Sequence, residues 1–171
     1  MREQPTYVIF TQKRKRALVL AVLILTTALV VVVVATQLYK PPYNPPPFET
    51  DAVAGRPEPP DNYGYSEINA AGNFRFGLAS VMYQQENGSL RIYFTNPEEN
   101  VAYLMCEVVD QEGKVLYKSG LLRPGEHLVS LNPVKKLENK AMRIEIKIYA
   151  LDPEYYYSIG TVTLDNTLQP Y

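Results

Sequence analysis

Two residue types that build disulfides and catalytic sites are scarce in this sequence, which has one cysteine and one histidine in 171 residues. Because Cys106 is alone, no disulfide can form within the chain. Cys106 lies in the apolar run VAYLMCEVV, which indicates a buried small side chain rather than a reactive thiol. Secreted animal domains of this size usually carry disulfides, so their absence favours a bacterial envelope protein.

The single histidine gives little support for catalysis. His127 stands in PGEHLVS, at the start of a predicted strand, and we interpret it as a surface or edge residue. No nucleophile elbow, metal-spaced pair or phosphate-binding glycine loop accompanies it. We therefore predict that the protein is not an enzyme and has no catalytic residues, no metal and no cofactor. A hydrolase or a peptidase inhibitor that uses His127 is the less favoured alternative.

Charge is missing from one long segment near the N-terminus. Residues 17–36 read ALVLAVLILTTALVVVVVAT, twenty residues without a charge, a glycine or a proline. As a helix, this segment spans roughly 30 Å, the thickness of the hydrocarbon core of a bilayer. Its threonine hydroxyls can donate to carbonyls of the same helix. The sequence predicts a transmembrane helix over residues 17–38, with a cleaved signal peptide as the alternative.

The flanking charges predict the orientation of that helix. Lys13, Arg14, Lys15 and Arg16 precede it directly, and an excess of Lys and Arg marks the cytoplasmic side. Residues 1–16 are therefore expected to be a basic cytoplasmic tail of a single-pass cell-membrane protein with an extracytoplasmic C-terminal domain. The tail holds five basic residues and one acidic residue, which leaves 12 and 17, or about −5, for the remainder. This mild acidity argues against a nucleic-acid partner.

Proline is abundant only after the apolar segment. Eight of the fourteen prolines lie between Tyr39 and Pro60, beginning with YKPPYNPPPFETD. Proline lacks the amide donor and restricts the preceding residue, so this composition disfavours helices and central strands and favours polyproline II. We predict that residues 39–72 form a proline-rich extracytoplasmic linker that works as a spacer.

The remaining residues show the period-two alternation of β-strands. AMRIEIKIYALD places Met142, Ile144, Ile146 and Ile148 on one face, and Asn87-Gly88 is a hairpin signal between two shorter strands. Seven short strands occur at intervals of roughly 8–12 residues. The sequence therefore predicts, over residues 73–171, an all-β domain that is a seven-stranded antiparallel immunoglobulin-like sandwich.

A family resemblance supports this fold. A strand is followed by the hairpin DQEG, the loop YKSGLLRPGE and a turn before a long alternating strand, in VAYLMCEVVDQEGKVLYKSGLLRPGEHLVSL and the residues up to AMRIEIKIYALDP. This order resembles that of Gram-positive, membrane-anchored, immunoglobulin-like envelope proteins of unassigned function. Relatives usually have Leu-x-x-Gly-x-Tyr at the last turn, where this chain has LENKAM. The resemblance implies a fold and carries no catalytic residue.

The candidate binding residues are aromatic and apolar side chains in two predicted turns. Exposed tyrosines provide large contact areas at a low entropic cost, and they are enriched at interfaces. The candidate partner-binding residues are Tyr155, Tyr156, Tyr157, Leu121, Leu122 and Arg123. We therefore predict a non-enzymatic binding or assembly module of the cell envelope, an accessory subunit of a surface or transfer apparatus. Its partner is expected to be another envelope protein or a cell-wall component, and the alternative is an adhesin-like module that binds a glycan or a host surface.

Overall fold

A computed structural model describes residues 7–38, 43–70 and 74–171 of the chain. The chain divides into two compact units, Met1–Asn44 and Pro45–Tyr171. The described part of the first unit is one apolar helix, and the second unit is mostly β.

The helix of the first unit, α1, extends over Tyr7–Leu38. It begins ten residues before the predicted start at residue 17, because the segment QKRKR consists of strong helix formers and continues the helix. The stretch Arg14–Val34 is long and apolar enough to cross a membrane, and all its side chains are exposed. As expected, Thr26 and Thr27 donate to carbonyls one turn earlier, at 3.0 and 2.7 Å.

Ten strands and one 3₁₀ helix make up the described part of the second unit. In chain order these are β1 (Val53–Ala54), the 3₁₀ helix (Asp61–Tyr63), β2 (Tyr65–Ala70), β3 (Phe74–Ala79), β4 (Met82–Gln84), β5 (Leu90–Asn96), β6 (Tyr103–Asp110), β7 (Val115–Lys118), β8 (Glu126–Leu131), β9 (Met142–Leu151) and β10 (Ser158–Gln169).

These strands form one curled mixed sheet. Its order is β1-β8-β5-β4-β10-β9-β6-β7, and β3 pairs with both β5 and β2. Side chains from β3 and β5 meet side chains from β6 and β9 in one core, so the sheet closes over itself. The prediction of seven antiparallel strands differs from this sheet in two respects. Ten strands are present, and β4 pairs with β10 in parallel.

The three additional strands arise in two parts of the chain. The apolar run FGLASVMYQ does not form one strand, because it is broken at Ser80 and Val81 into β3 and β4. Strands β1 and β2 lie within residues 39–72, which were predicted to be a linker. The compact unit therefore begins at Pro45 rather than at residue 73, and it includes much of the predicted linker. Residues 39–42 and 71–73 of that predicted linker lie outside the described part of the chain.

Strand β9 confirms the predicted alternation, whereas β5 does not. Ile144, Ile146 and Ile148 are buried in the core, and the residues between them lie on the outer face. In β5, the alternation of LRIYFTN would place Tyr93 on the face opposite to Ile92 and Phe94, yet all three are buried. A φ of +51° at Tyr93 and a register shift between Arg91 and Phe94 interrupt the alternation.

A buried amide connects two loops and the start of β3 at one end of the sheet. The Asn96 side chain is fully buried, and its Nδ2 donates to the carbonyls of Ala102 and Leu122, both at 2.9 Å. Its Oδ1 accepts from Nδ2 of Asn100 at 2.6 Å, and Asn100 bonds both backbone groups of Arg75. Because a buried amide without partners is costly, these bonds determine how the two loops lie against the start of β3.

We expect Asn96→Ala to lower the free energy of unfolding by about 2–3 kcal/mol, because the three hydrogen bonds of its side chain are lost and the Ala102 carbonyl loses its amide donor. The measurement is urea denaturation of the full chain in detergent, followed by maleimide labelling of Cys106, which is buried in the folded protein. The exposed Asn132→Ala is the control, and an equal effect of both variants would contradict the role of Asn96.

Candidate functional site

The connection between β9 and β10 presents two tyrosines to solvent. Tyr155 and Tyr157 are 65% and 57% exposed, and their rings stack with centroids 6.4 Å apart and an interplanar angle of 15°. A hydrogen bond that the Tyr155 hydroxyl donates to the Glu154 carboxylate raises the pKa of that hydroxyl, with smaller contributions from burial and from the charge of Asp152. We call residues 155–157 the tyrosine turn.

Asp152 holds the tyrosine turn in place. Its Oδ1 accepts from the amides of Glu154 and Tyr155 at 2.9 and 2.8 Å. Its backbone bonds Tyr156 and Tyr157, each at 2.9 Å, and Tyr156 has a φ of +58°. A carboxylate that accepts from successive amides is the usual anchor of such a turn. The exposed rings are thus carried by a bonded loop.

Tyr156 points to a second group of rings on the outer face of the sheet. Its ring lies 6.0 Å from that of Tyr103, which meets Phe48 edge to face at 5.1 Å. The guanidinium of Arg123 lies 3.8 Å from the centre of the Phe48 ring, a cation–π contact. We call Phe48, Tyr103, Tyr156 and Arg123 the aromatic cluster. It covers a small apolar layer made of Met105, Leu121 and Leu151.

Phe48 reaches this cluster because the segment before β1 is bonded to the domain. The Leu121 amide donates to the Pro47 carbonyl, and the Glu49 amide donates to the Leu121 carbonyl, both at 2.9 Å. The Glu49 carboxylate accepts from the Gly120 amide at 2.7 Å. A side chain at Gly120 would lie 2.6 Å from the Glu49 nitrogen, so only glycine permits this approach. The prolines therefore belong partly to the folded unit.

The structure separates the six predicted binding residues into accessible and inaccessible groups. Tyr155, Tyr157 and Arg123 are exposed, and Tyr156 is half-buried in the aromatic cluster. Leu121 and Leu122 were predicted as partner-binding residues on a loop, but both are fully buried and cannot contact a partner in this structure. Their backbones form bridges to Phe48 and Leu104, which turn the two side chains into the interior. Leu121 supports the aromatic cluster from below, whereas Leu122 packs in the main core, and neither offers a contact surface.

Phe48 and Tyr103 were not anticipated as site residues. Phe48 is an aromatic residue within a run of prolines, PPPFET, and that isolation is the signal that could have been followed. Tyr103 begins the apolar run of β6, where nothing local distinguishes it from a core residue. Their contact joins residues far apart in the chain, and neither segment contains information about the other.

A second set of tyrosines lies elsewhere on the sheet. Tyr63 contacts Tyr83 and Tyr93 edge to face at 5.4 and 5.1 Å, and Arg91 donates to the Tyr93 hydroxyl at 3.4 Å. The Tyr93 ring is buried, and the other two are half-buried. Because these rings pack against one another, they leave less aromatic surface accessible to a partner than the tyrosine turn does.

The single histidine and the single cysteine are both buried. His127 was interpreted as a surface or edge residue, but it is buried on β8 between β1 and β5, with Nδ1 2.7 Å from the Gly55 carbonyl. Cys106 is buried as expected, and burial raises the pKa of its thiol to about 12. Among the residues that the structure describes, no three His, Cys, Asp or Glu side chains are grouped to hold a metal ion.

Comparisons of the chain with protein-family models, curated proteins and solved structures found no match. The tyrosine turn and the aromatic cluster can therefore be assessed only by their own geometry. Together they provide two free aromatic faces, a supported row of rings and one guanidinium. This composition is typical of the anchoring residues of protein interfaces.

We expect Gly120→Ala to detach residues 45–49 from the domain, because the added methyl group would collide with the backbone of Glu49. The Glu49 and Leu121 amides should then exchange hydrogen about tenfold faster or more, while amides of β9 keep their rates. Hydrogen exchange of the full chain in detergent checks this expectation. The control is Gly113→Asn, since Gly113 lies in open space at a φ of +81°, which asparagine tolerates. Unchanged protection in Gly120→Ala would contradict the proposed contact.

Proposed function

We propose that the chain is a single-pass membrane protein whose extracytoplasmic β domain is a non-enzymatic binding or assembly module of the cell envelope. The single observation that carries this function is the exposed, bonded tyrosine turn beside the aromatic cluster. Exposed parallel rings on an anchored loop lose little entropy when a partner covers them. The partner that this surface fits best is another envelope protein, as in an accessory subunit of a surface or transfer apparatus.

The proposed topology rests on charge and length. An apolar stretch of 21 residues follows the basic residues Lys13, Arg14, Lys15 and Arg16, so the N-terminus stays in the cytoplasm and the helix is a retained anchor. We also propose an immunoglobulin-like sandwich with added strands and a Gram-positive cell membrane as its location. The core enclosed between β3 and β5 on one side and β6 and β9 on the other supports the sandwich.

Protease protection tests the topology. In intact spheroplasts that express the full chain with an N-terminal tag, external protease should remove the β domain and leave a tagged membrane fragment. Before protease is added, the tagged chain should have a mass of 19.4 kDa plus that of the tag, which would show that the helix is not cleaved. A tag lost from the mature chain would contradict the anchor, and a digested tag would contradict the orientation.

Site-specific photo-crosslinking in cells tests the binding surface. A photoreactive residue at Tyr157 should capture one discrete envelope protein, whereas the same probe at Tyr171 should not. Tyr171 is a matched control, because it is a tyrosine with 63% exposure that lies outside the site. Tyr155→Ala should lower the yield at Tyr157 about tenfold, since it removes the stacked neighbour. Equal adducts at both positions would contradict a specific protein interface.

Glycan recognition is the second candidate function, favoured by the near-parallel rings of Tyr155 and Tyr157. Sugar rings have apolar faces that stack on exposed aromatic side chains. Binding of the full chain to purified cell-wall polysaccharide, abolished by Tyr157→Ala and retained in Tyr171→Ala, would favour this function over protein assembly.

A further inference from the structure

Strand β10 leaves most of one edge without a partner strand. It is 12 residues long and pairs antiparallel with β9 along nearly its whole length. On its other edge, β4 pairs only with Leu168 and Gln169. In an antiparallel ladder, alternate residues direct their N–H and C=O groups away from the paired neighbour. Within the described sheet, residues 158–166 of β10 therefore present an open row of backbone donors and acceptors.

The other edges of the described sheet are shorter or better protected. β1 has two residues, and β7 is bridged by the segment at Pro133, with the Val134 amide donating to the Leu116 carbonyl at 2.9 Å. β2 carries Glu67, which forms an ion pair with Arg56. Natural proteins keep strand edges from pairing with another chain by making them short, by covering them or by placing charge on them. Each of these three edges is protected in one of these ways.

The open edge of β10 lacks most of this protection. Residues 158–164, SIGTVTL, contain no charge and no proline, and the bulge between Ser158 and Gly160 is its one irregularity. Side chains make the other contacts of this strand. Phe74 packs against Gly160, and Nδ2 of Asn166 donates at 3.1 Å to the carbonyl of Ser80, which lies just before β4. These contacts leave the backbone edge of residues 158–165 without a partner strand in the described sheet.

We propose that the edge of β10 is a homodimer interface, at which β10 of a second copy pairs antiparallel and continues the sheet across a twofold axis. The occupant follows from the self-complementarity of the segment. With the axis at Val162, Thr161 lies opposite Thr163 of the second copy. Ile159 then lies opposite Asp165 of the second copy, so the one charged residue of the open segment never faces its equivalent. Threonine pairs across strands are favourable, and twofold pairing is the commonest homodimer symmetry.

A register-specific charge exchange tests this interface. Thr161 and Thr163 are exposed, and in the chain itself they lie opposite Tyr149 and Lys147 of β9. Thr161→Glu combined with Thr163→Glu places like charges opposite each other twice in the dimer. Thr161→Lys combined with Thr163→Glu places opposite charges there instead. We expect the first double variant to weaken dimerisation about tenfold or more and the second to preserve it.

The measurement is the dimer fraction of the full chain in nanodiscs at a series of protein concentrations. Thr167→Glu is the control, because it adds an exposed charge to β10 where β4 already approaches the strand. A monomeric wild-type chain, or equal dimerisation of the two double variants, would overturn the proposal. Protection of the buried Cys106 from maleimide shows in each case that the domain is folded.

Disulfide crosslinking gives an independent test of the register. Two differently tagged copies, one with Thr161→Cys and the other with Thr163→Cys, should crosslink on mild oxidation, because these positions lie opposite each other. A copy with Thr161→Cys mixed with one carrying Thr167→Cys should not. Equal crosslinking of both mixtures, or a heterologous protein bound at this edge in place of a second copy, would contradict the twofold pairing.

Discussion

The side-chain amide of Asn96 is the interaction on which the end of the domain depends. It bonds the loop before β6 through Ala102, the loop before β8 through Leu122, and the start of β3 through Asn100. Leu122 is followed by Arg123 and preceded by Leu121, which supports the aromatic cluster. A buried amide has no alternative partners in an apolar interior, so its geometry is selective. The position of the cluster is therefore a consequence of a polar network in the core.

The contacts of the proline-rich segment show that part of it is bonded to the folded domain. Proline composition favours an extended backbone, and an extended backbone is also what a short parallel bridge requires. Phe48 bridges Leu121 in parallel, and Glu49 supplies its carboxylate to the Gly120 amide. The prolines that stiffen the segment thus also favour the extended conformation in which it lies along the domain. Stiffness lowers the entropy lost when the segment is bonded, which favours the docked state.

The parts of the fold that could be predicted are those with a local cause. The alternation in β9, the hairpin at Asn87-Gly88 and the apolar helix each depend on neighbours in the sequence. The failures have tertiary causes. Glu49 and Gly120 are 71 residues apart, and the burial of Leu121 and Leu122 depends on strands that their own loop does not contain. Of the predicted site, the tyrosine turn could be found because three consecutive tyrosines at a strand end cannot all be buried, whereas Phe48 and Tyr103 could not.

The aromatic surface and the open strand edge begin at the same turn. Asp152 anchors the amide of Tyr155 through its carboxylate and accepts that of Tyr156 at its carbonyl, while its own amide bonds the carbonyl of Tyr157, the residue before β10. The carboxylate of Asp152 therefore orients the turn that carries the exposed rings, and the backbone amide of the same residue fixes the carbonyl that precedes the long strand. If the tyrosine turn binds a partner and β10 pairs with a second copy, as proposed, both surfaces depend on the bonds of this one residue. Coupling between them then requires only that a partner at the rings shifts Asp152.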